Sequence, residues 1–226
     1  MSSLLFVLFA CLSEGEDGNS EDTSTEESLP NVVVSVRLLD IMGGTLPSGI
    51  TLRNDIEEIT LDDSHVGEIP VAANTQFYIQ AEADGYVPHQ FVAMSGQEDL
   101  SLVSFFAAED MSLMMYNMLG IEADPEKSIL IVALDHPNLS PAVGAMAEID
   151  ANHDGAFVMS GFGVEFSNIV TSSGGFVAFP NVEPGEVSIE ITPPEGKSCW
   201  FHSVGGEGAT VQVAPQQATV AFFVCD

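Results

Sequence analysis

Short runs of alternating apolar and polar residues recur along this chain, each closed by a turn signal about ten residues on. No other feature of the sequence constrains the fold as tightly. Val32-Val33-Val34-Ser35-Val36-Arg37-Leu38-Leu39-Asp40 is rich in β-branched residues, and Gly43-Gly44 and Pro47-Ser48-Gly49 follow it as turns. Ile50 to Arg53, Ile56 to Leu61 and Phe77 to Ala83 alternate as half-buried strands do, and Asp84-Gly85-Tyr86 closes the last of these. Phe91 to Met94 and Leu100 to Phe106 complete the set. Regular short strands between turn residues predict an antiparallel sandwich.

The pattern breaks at residues 108–119. Met111, Met114, Met115, Met118 and Leu119 recur at the spacing of one face of an amphipathic helix. Gly120 is placed to cap it, and Pro125 stops it. The Met stripe reads as a face that glues the helix to one or both sandwiches, or as a deformable binding surface. The β pattern restarts at Ser128. Ile129 to Asp135 mirrors the strand ending in Leu39-Asp40, and Pro141-Ala142-Val143-Gly144-Ala145 mirrors Pro47-Ser48-Gly49-Ile50 as a turn followed by a small-residue strand. Phe162 to Val170, Gly175 to Phe179, Glu186 to Ile191 and Ala218 to Cys225 are further strands. The expected fold class is all-β: two tandem antiparallel sandwiches, 31–106 and 128–226, joined by one short helix within 107–127.

The N-terminus carries an address. Leu4 to Ala10 is an apolar run too short to span a bilayer, and it fits a signal-peptide core over residues 1–10. Leu8-Phe9-Ala10-Cys11 resembles the lipobox of bacterial lipoproteins, which implies cleavage before Cys11 and lipidation of its thiol. An ordinary cleaved signal with an incidental cysteine is the alternative. Leu12 follows, with no Asp of the kind that retains lipoproteins at an inner membrane, so outer membrane or cell surface is the expected location. Each buried methylene of the lipid contributes about 0.8 kcal/mol to such an anchor. Residues 11–30 are acidic and lack periodicity. Self-repulsion extends such a linker, to on the order of 60 Å if fully stretched.

Charge narrows the partners. The formal net charge is −30, from 34 Asp and Glu against Arg37, Arg53, Lys127 and Lys197. Nucleic acid is excluded, because there are too few cations to displace counterions from phosphates. Anionic lipid would repel the chain, so membrane attachment has to be covalent. A solvated acidic surface, a salty habitat and the collection of divalent cations all suit this composition. Hydrophobic residues make up 46% of the chain, enough for a packed core. Cys199 and Cys225 form an even pair, read as a disulfide in an oxidising compartment.

The second half resembles the carboxypeptidase regulatory-like domains, members of the prealbumin-like (transthyretin-like, Ig-like) β-sandwiches. Val132 to Asp135, Pro141 to Ala145 and above all Ser173-Gly174-Gly175-Phe176-Val177-Ala178-Phe179-Pro180-Asn181-Val182-Glu183-Pro184-Gly185-Glu186-Val187 carry the likeness. The last stretch is similar to a family hairpin in which Phe176 and Phe179 anchor the core and Pro184-Gly185 turns the chain. Gln80 to Tyr86 is similar to the family's closing segment. The whole arrangement also resembles lipoproteins of myxobacteria-like organisms. These resemblances imply fold, architecture and location, since such modules are accessories in many surface proteins.

Candidate chemistry is sparse. Asp150, Asn152 and Asp154 lie in a D-x-N-x-D-G run similar to the first half of a calcium loop, although Gly161 stands where the bidentate acid belongs. An ordinary β-turn suits the same residues. His65-Val66-Gly67-Glu68 has the spacing of a zinc carboxypeptidase pair and reads more simply as a turn. The iron ligands of intradiol dioxygenases, the tail of transthyretin-like hydrolases, a G-x-S-x-G elbow and a P-loop are missing. Trp200 suits a sugar-stacking or partner-gripping site, or a core position against the disulfide. The expected function is a non-catalytic surface lipoprotein displaying binding or structural modules to an extracellular protein or carbohydrate. The alternative is a carbohydrate- or cation-binding accessory to a separate enzyme, with Ca2+ as the candidate ion.

Overall fold

The computed structural model describes residues 30–226 apart from positions 42 and 162; Cys11 and the signal and linker readings lie outside the described residues. In chain order the first half holds β1 (Asn31–Asp40), β2 (Thr51–Arg53), β3 (Glu58–Thr60), β4 (Val66–Ala72), β5 (Gln76–Glu82), β6 (His89–Met94) and β7 (Leu100–Phe106). Helix α1 (Glu109–Leu119) follows. The second half holds β8 (Ser128–Asp135), β9 (Met146–Ile149), β10 (Phe157–Ser160), β11 (Gly163–Phe166), β12 (Phe176–Val182), β13 (Gly185–Thr192), β14 (Cys199–Phe201), β15 (Gly208–Val213) and β16 (Ala218–Cys225).

The chain is an all-β sandwich protein, and its two halves share a sheet. A central ten-stranded sheet runs β11-β10-β12-β8-β16-β6-β5-β2-β3, with β14 also paired to β16. The three-stranded sheets β4-β1-β7 and β15-β13-β9 are separate. The join is β16, which pairs in parallel with β6 along Ala218–Ala221 and with β8 along Ala218–Val224. Its side chains alternate between two cores. Val220 and Phe222 enter the cluster built on β1, β4 and β7, while Ala221 and Phe223 enter the cluster built on β13 and β15. Strand β6 does the same, with Phe91 and Ala93 on one side and Val92 on the other. A strand covered on both faces needs a continuous apolar run, which these two have.

Three pairings are parallel where antiparallel ones were expected. Besides the two made by β16, β1 pairs in parallel with β7 from Val34↔Leu100 to Asp40↔Phe106. In each half the last strand returns beside the first, as β7 does to β1 and β16 to β8. The letter match between Leu39-Asp40 and Leu134-Asp135 thus falls on equivalent strands. The outer sheet keeps the simple alternation: Val32, Val34, Val36 and Leu38 of β1 are buried and Val33 is exposed.

Other expectations change in detail. Strand β4 contains Gly67 and Pro70, which disguise it in sequence. It is the edge of its sheet, where proline is tolerated. Residues 141–145 form no strand, yet Ala142 and Ala145 are fully buried. The family-like segment 173–187 is no hairpin. Strand β12 pairs with β8 and β10, whereas β13 pairs with β15 and β9. Glu183-Pro184 carries the chain from the central sheet to an outer one, and Val182 and Val187 are buried in the same core on either side of that arch. Gly120 caps α1 in the left-handed conformation, as expected. The Met stripe packs the helix down only in part. Met114 and Met118 are exposed, and the partly covered face is Met111, Met115, Tyr116 and Leu119. No described helix is long and apolar enough to cross a membrane.

Candidate functional site

The outer sheet β4-β1-β7 covers only part of the central sheet. Beyond its β7 edge, Ile129, Ile131 and Ala133 of β8 and Ala178 of β12 floor an apolar cleft of about 410 Å³. Phe157, Met159 and Phe176 extend that floor. The wall is the edge of β7, where the consecutive residues Val103, Ser104 and Phe105 all touch the cleft. Met115 of α1, Leu139 and Pro141, and Ser173-Gly174-Gly175 complete it. Strand alternation explains the apolar floor: Ile129, Ile131 and Ala133 share one face of β8, opposite Leu130, Val132 and Leu134 in the core.

Two ionisable groups lie toward opposite ends of β8. Asp135 is its last residue. Burial raises the pKa of this carboxyl to about 6, partly offset by His136. Gly175 makes the room it needs, since a Cβ there would lie 1.9 Å from Asp135 Oδ1. His89 lies at the Ile129 end, because both pair with Ala218. Its Nδ1 lies 2.7 Å from the Val87 carbonyl, and its ring meets Phe106 edge-on at 5.0 Å. Burial lowers its pKa to about 4, so the ring is neutral at pH 7 and Nδ1–H donates to Val87. An apolar slot holding one ionised carboxylate at pH 7 can receive an apolar group joined to a cation.

The sequence candidates fall elsewhere. Cys199 and Cys225 form a disulfide between the antiparallel neighbours β14 and β16, buried in the second-half core. Trp200 is half-buried. Alternation along β14 turns it to the face opposite Cys199 and Phe201, so it does not share the core face of the disulfide. Asp150 Oδ1 accepts the Ser188 N–H at 2.8 Å, and Asp154 Oδ2 accepts the Asn181 amide at 2.7 Å. The Asn152 carbonyl accepts the Glu183 N–H. These contacts hold a packed turn. Among the described residues no group of three His, Cys, Asp or Glu side chains is arranged to hold a metal ion. His65 sits in a turn with positive φ, its Nε2 3.2 Å from the Pro47 carbonyl.

Sequence reasoning passed over Asp135, His89 and Gly175 as site residues. The available signal was the strand-final Asp and the Gly174-Gly175 pair. Nothing local shows that they meet. In sequence Asn181 stands out only as part of the family-like segment. It is buried with φ +52°, accepts the Asp124 N–H at 3.0 Å, and donates to the Glu122 carbonyl and Asp154. It thereby ties the segment after α1 to the Asp150–Asp154 turn.

No protein-family model matches the sequence, and no curated protein matches it. Solved structures give distant likenesses. The minor pilin of Streptococcus agalactiae is 11% identical, with 84% of this chain and 93% of that chain covered and a TM-score of 0.28. The major pilin of Streptococcus pyogenes is 8% identical, with 87% and 98% covered and a TM-score of 0.32. The Bacillus anthracis TIE protein is 11% identical over 85% of this chain, with a TM-score of 0.27, and this chain spans 33% of its length.

Proposed function

We propose that this protein is a non-catalytic binding module displayed outside the cytoplasm, and that the cleft beside β7 is where it holds its partner. The cleft carries the reading: apolar side chains from both halves and α1 converge on one slot with a single ionised carboxylate at pH 7. Slots of this size and lining are where proteins bury ligands. The Cys199–Cys225 disulfide supports an oxidising compartment. The lipobox-like Leu8-Phe9-Ala10-Cys11 supports a lipid anchor at the outer membrane or cell surface, with the acidic linker as a tether and the sandwiches as carboxypeptidase regulatory-like accessories.

Two measurements test the two parts. The neutral apolar dye Nile red should bind the full chain at one saturable site, and Ala133→Trp, at a partly exposed floor position, should abolish it. Dye binding that is absent, or unchanged in that variant, removes the cleft as a site. Intact mass of the membrane-fraction protein should show an acylated N-terminus at Cys11 and a two-dalton gain on reduction. A chain still beginning at Met1 removes the anchor.

A further inference from the structure

We infer that the cleft is a strand-acceptor groove: it takes an extended segment of a partner protein, apolar at alternate positions and bearing a Lys or Arg, which pairs with the free edge of β7 and sets its base on Asp135. This deepens the cleft-binding reading and rests on it.

The edge is the first observation. The sheet runs β4-β1-β7, and no described strand pairs with the outer side of β7. Val103, Ser104 and Phe105 line the cleft consecutively, so the strand presents its edge there and not one face. An unpaired edge offers N–H and C=O groups to an added strand, and here the added strand would compete with the Ser104 hydroxyl, which donates to the Phe105 carbonyl at 3.3 Å. The floor is the second. A fourth strand would lie about 4.8 Å from β7 and about 10 Å above the central sheet, over the part of that sheet the outer sheet leaves bare. Ile131, Ala133 and Phe176, each partly exposed there, would receive every second side chain. The third is Asp135: no hydrogen bond or ion pair engages its carboxylate among the described residues, and it ends the strand that floors the groove.

Charge selects the occupant. Residues 1–29 contain the apolar run Leu4–Ala10 but no Lys or Arg, so they offer the groove no base. A second copy brings only Arg37, Arg53, Lys127 and Lys197 against 34 acids. A foreign segment that is basic as well as apolar satisfies both edge and carboxylate, and the acidic surface steers it in.

The probe is an acetylated, amidated octapeptide of alternating valine and threonine with lysine at each end, titrated into the full chain. It should bind one to one and slow exchange of the alternate amides in Val103–Phe106 that point away from β1. Asp135→Asn should weaken it about tenfold, glutamate in place of lysine should prevent binding, and a central proline should do the same. Nile red bound without the peptide overturns strand addition while the cleft reading stands; neither bound overturns both. Peptide binding that leaves β7 exchange or the Asp135→Asn comparison unchanged also refutes the inference. Protection, in the free full chain, of those alternate amides of Val103–Phe106 that point away from β1 would show that its own segment fills the groove, which overturns the choice of occupant.

Discussion

Replacing Asp135 by Asn should stabilise the protein at pH 7 and lose that benefit in acid. Folding raises the Asp135 pKa from 3.8 to about 6, so the folded state holds this proton more readily than the unfolded one. Ionisation therefore opposes folding. The penalty is complete above pH 6 and gone below about 3.8. The shift corresponds to about 3 kcal/mol, and because the carboxyl stays partly open to the cleft, screening reduces it to about 1–2 kcal/mol. His89 runs the other way. Folding lowers its pKa from 6.5 to about 4, so its stabilisation is full above 6.5 and is lost as the pH falls to 4. That loss is about 3 kcal/mol. In the wild type the two partly cancel between pH 6.5 and 4, and Asp135→Asn removes the compensation. Urea unfolding with the disulfide intact, from pH 4 to 7.5, should show the variant about 1–2 kcal/mol more stable at pH 7 and equal to wild type near pH 4. A variant no more stable at pH 7, or one whose advantage does not change with pH, would refute the assignment of a desolvated carboxylate. His89→Phe is the companion: its stability relative to wild type should improve by about 3 kcal/mol between pH 7 and 4.

Asn181→Ala removes three hydrogen bonds of a buried side chain and should cost about 3 kcal/mol by urea unfolding. Asn181→Gly should stay destabilised, although it relieves the left-handed backbone. Gly67→Ala would bring a methyl within 2.5 Å of Leu61 and 2.8 Å of Ile59, and should lower stability by about 1–3 kcal/mol in the same assay. The double variant Cys199→Ala, Cys225→Ala opens a loop with a sequence separation of 26 and should cost about 3.5 kcal/mol. A melting temperature equal to that of the oxidised wild type would contradict that estimate.

The sequence by itself determined the strand character of most segments, the helix with its Gly120 cap, the cysteine pair and the sandwich class. These rest on local physics: side-chain period, turn chemistry and redox compartment. Period two in Val32–Leu38 announces a strand with one wet face, and it is one. Phe91-Val92-Ala93 and Val220-Ala221-Phe222-Phe223 also carried a message, since unbroken apolar runs mean both faces are covered. A run does not name its cover, however, so the sharing of one sheet between the halves was decided only by β16 settling between β6 and β8. Val182-Glu183-Pro184-Gly185 reads equally as a hairpin turn or as an arch over a core. Gly67 and Pro70 hid β4 because their penalty depends on whether a strand is central or at an edge. The Met stripe of α1 gave a helix but not its rotation, which the neighbours set. Tertiary structure alone made the cleft, because Asp135, Gly175, Val103 and Met115 are distant in sequence and meet only where one sheet stops short of covering the next.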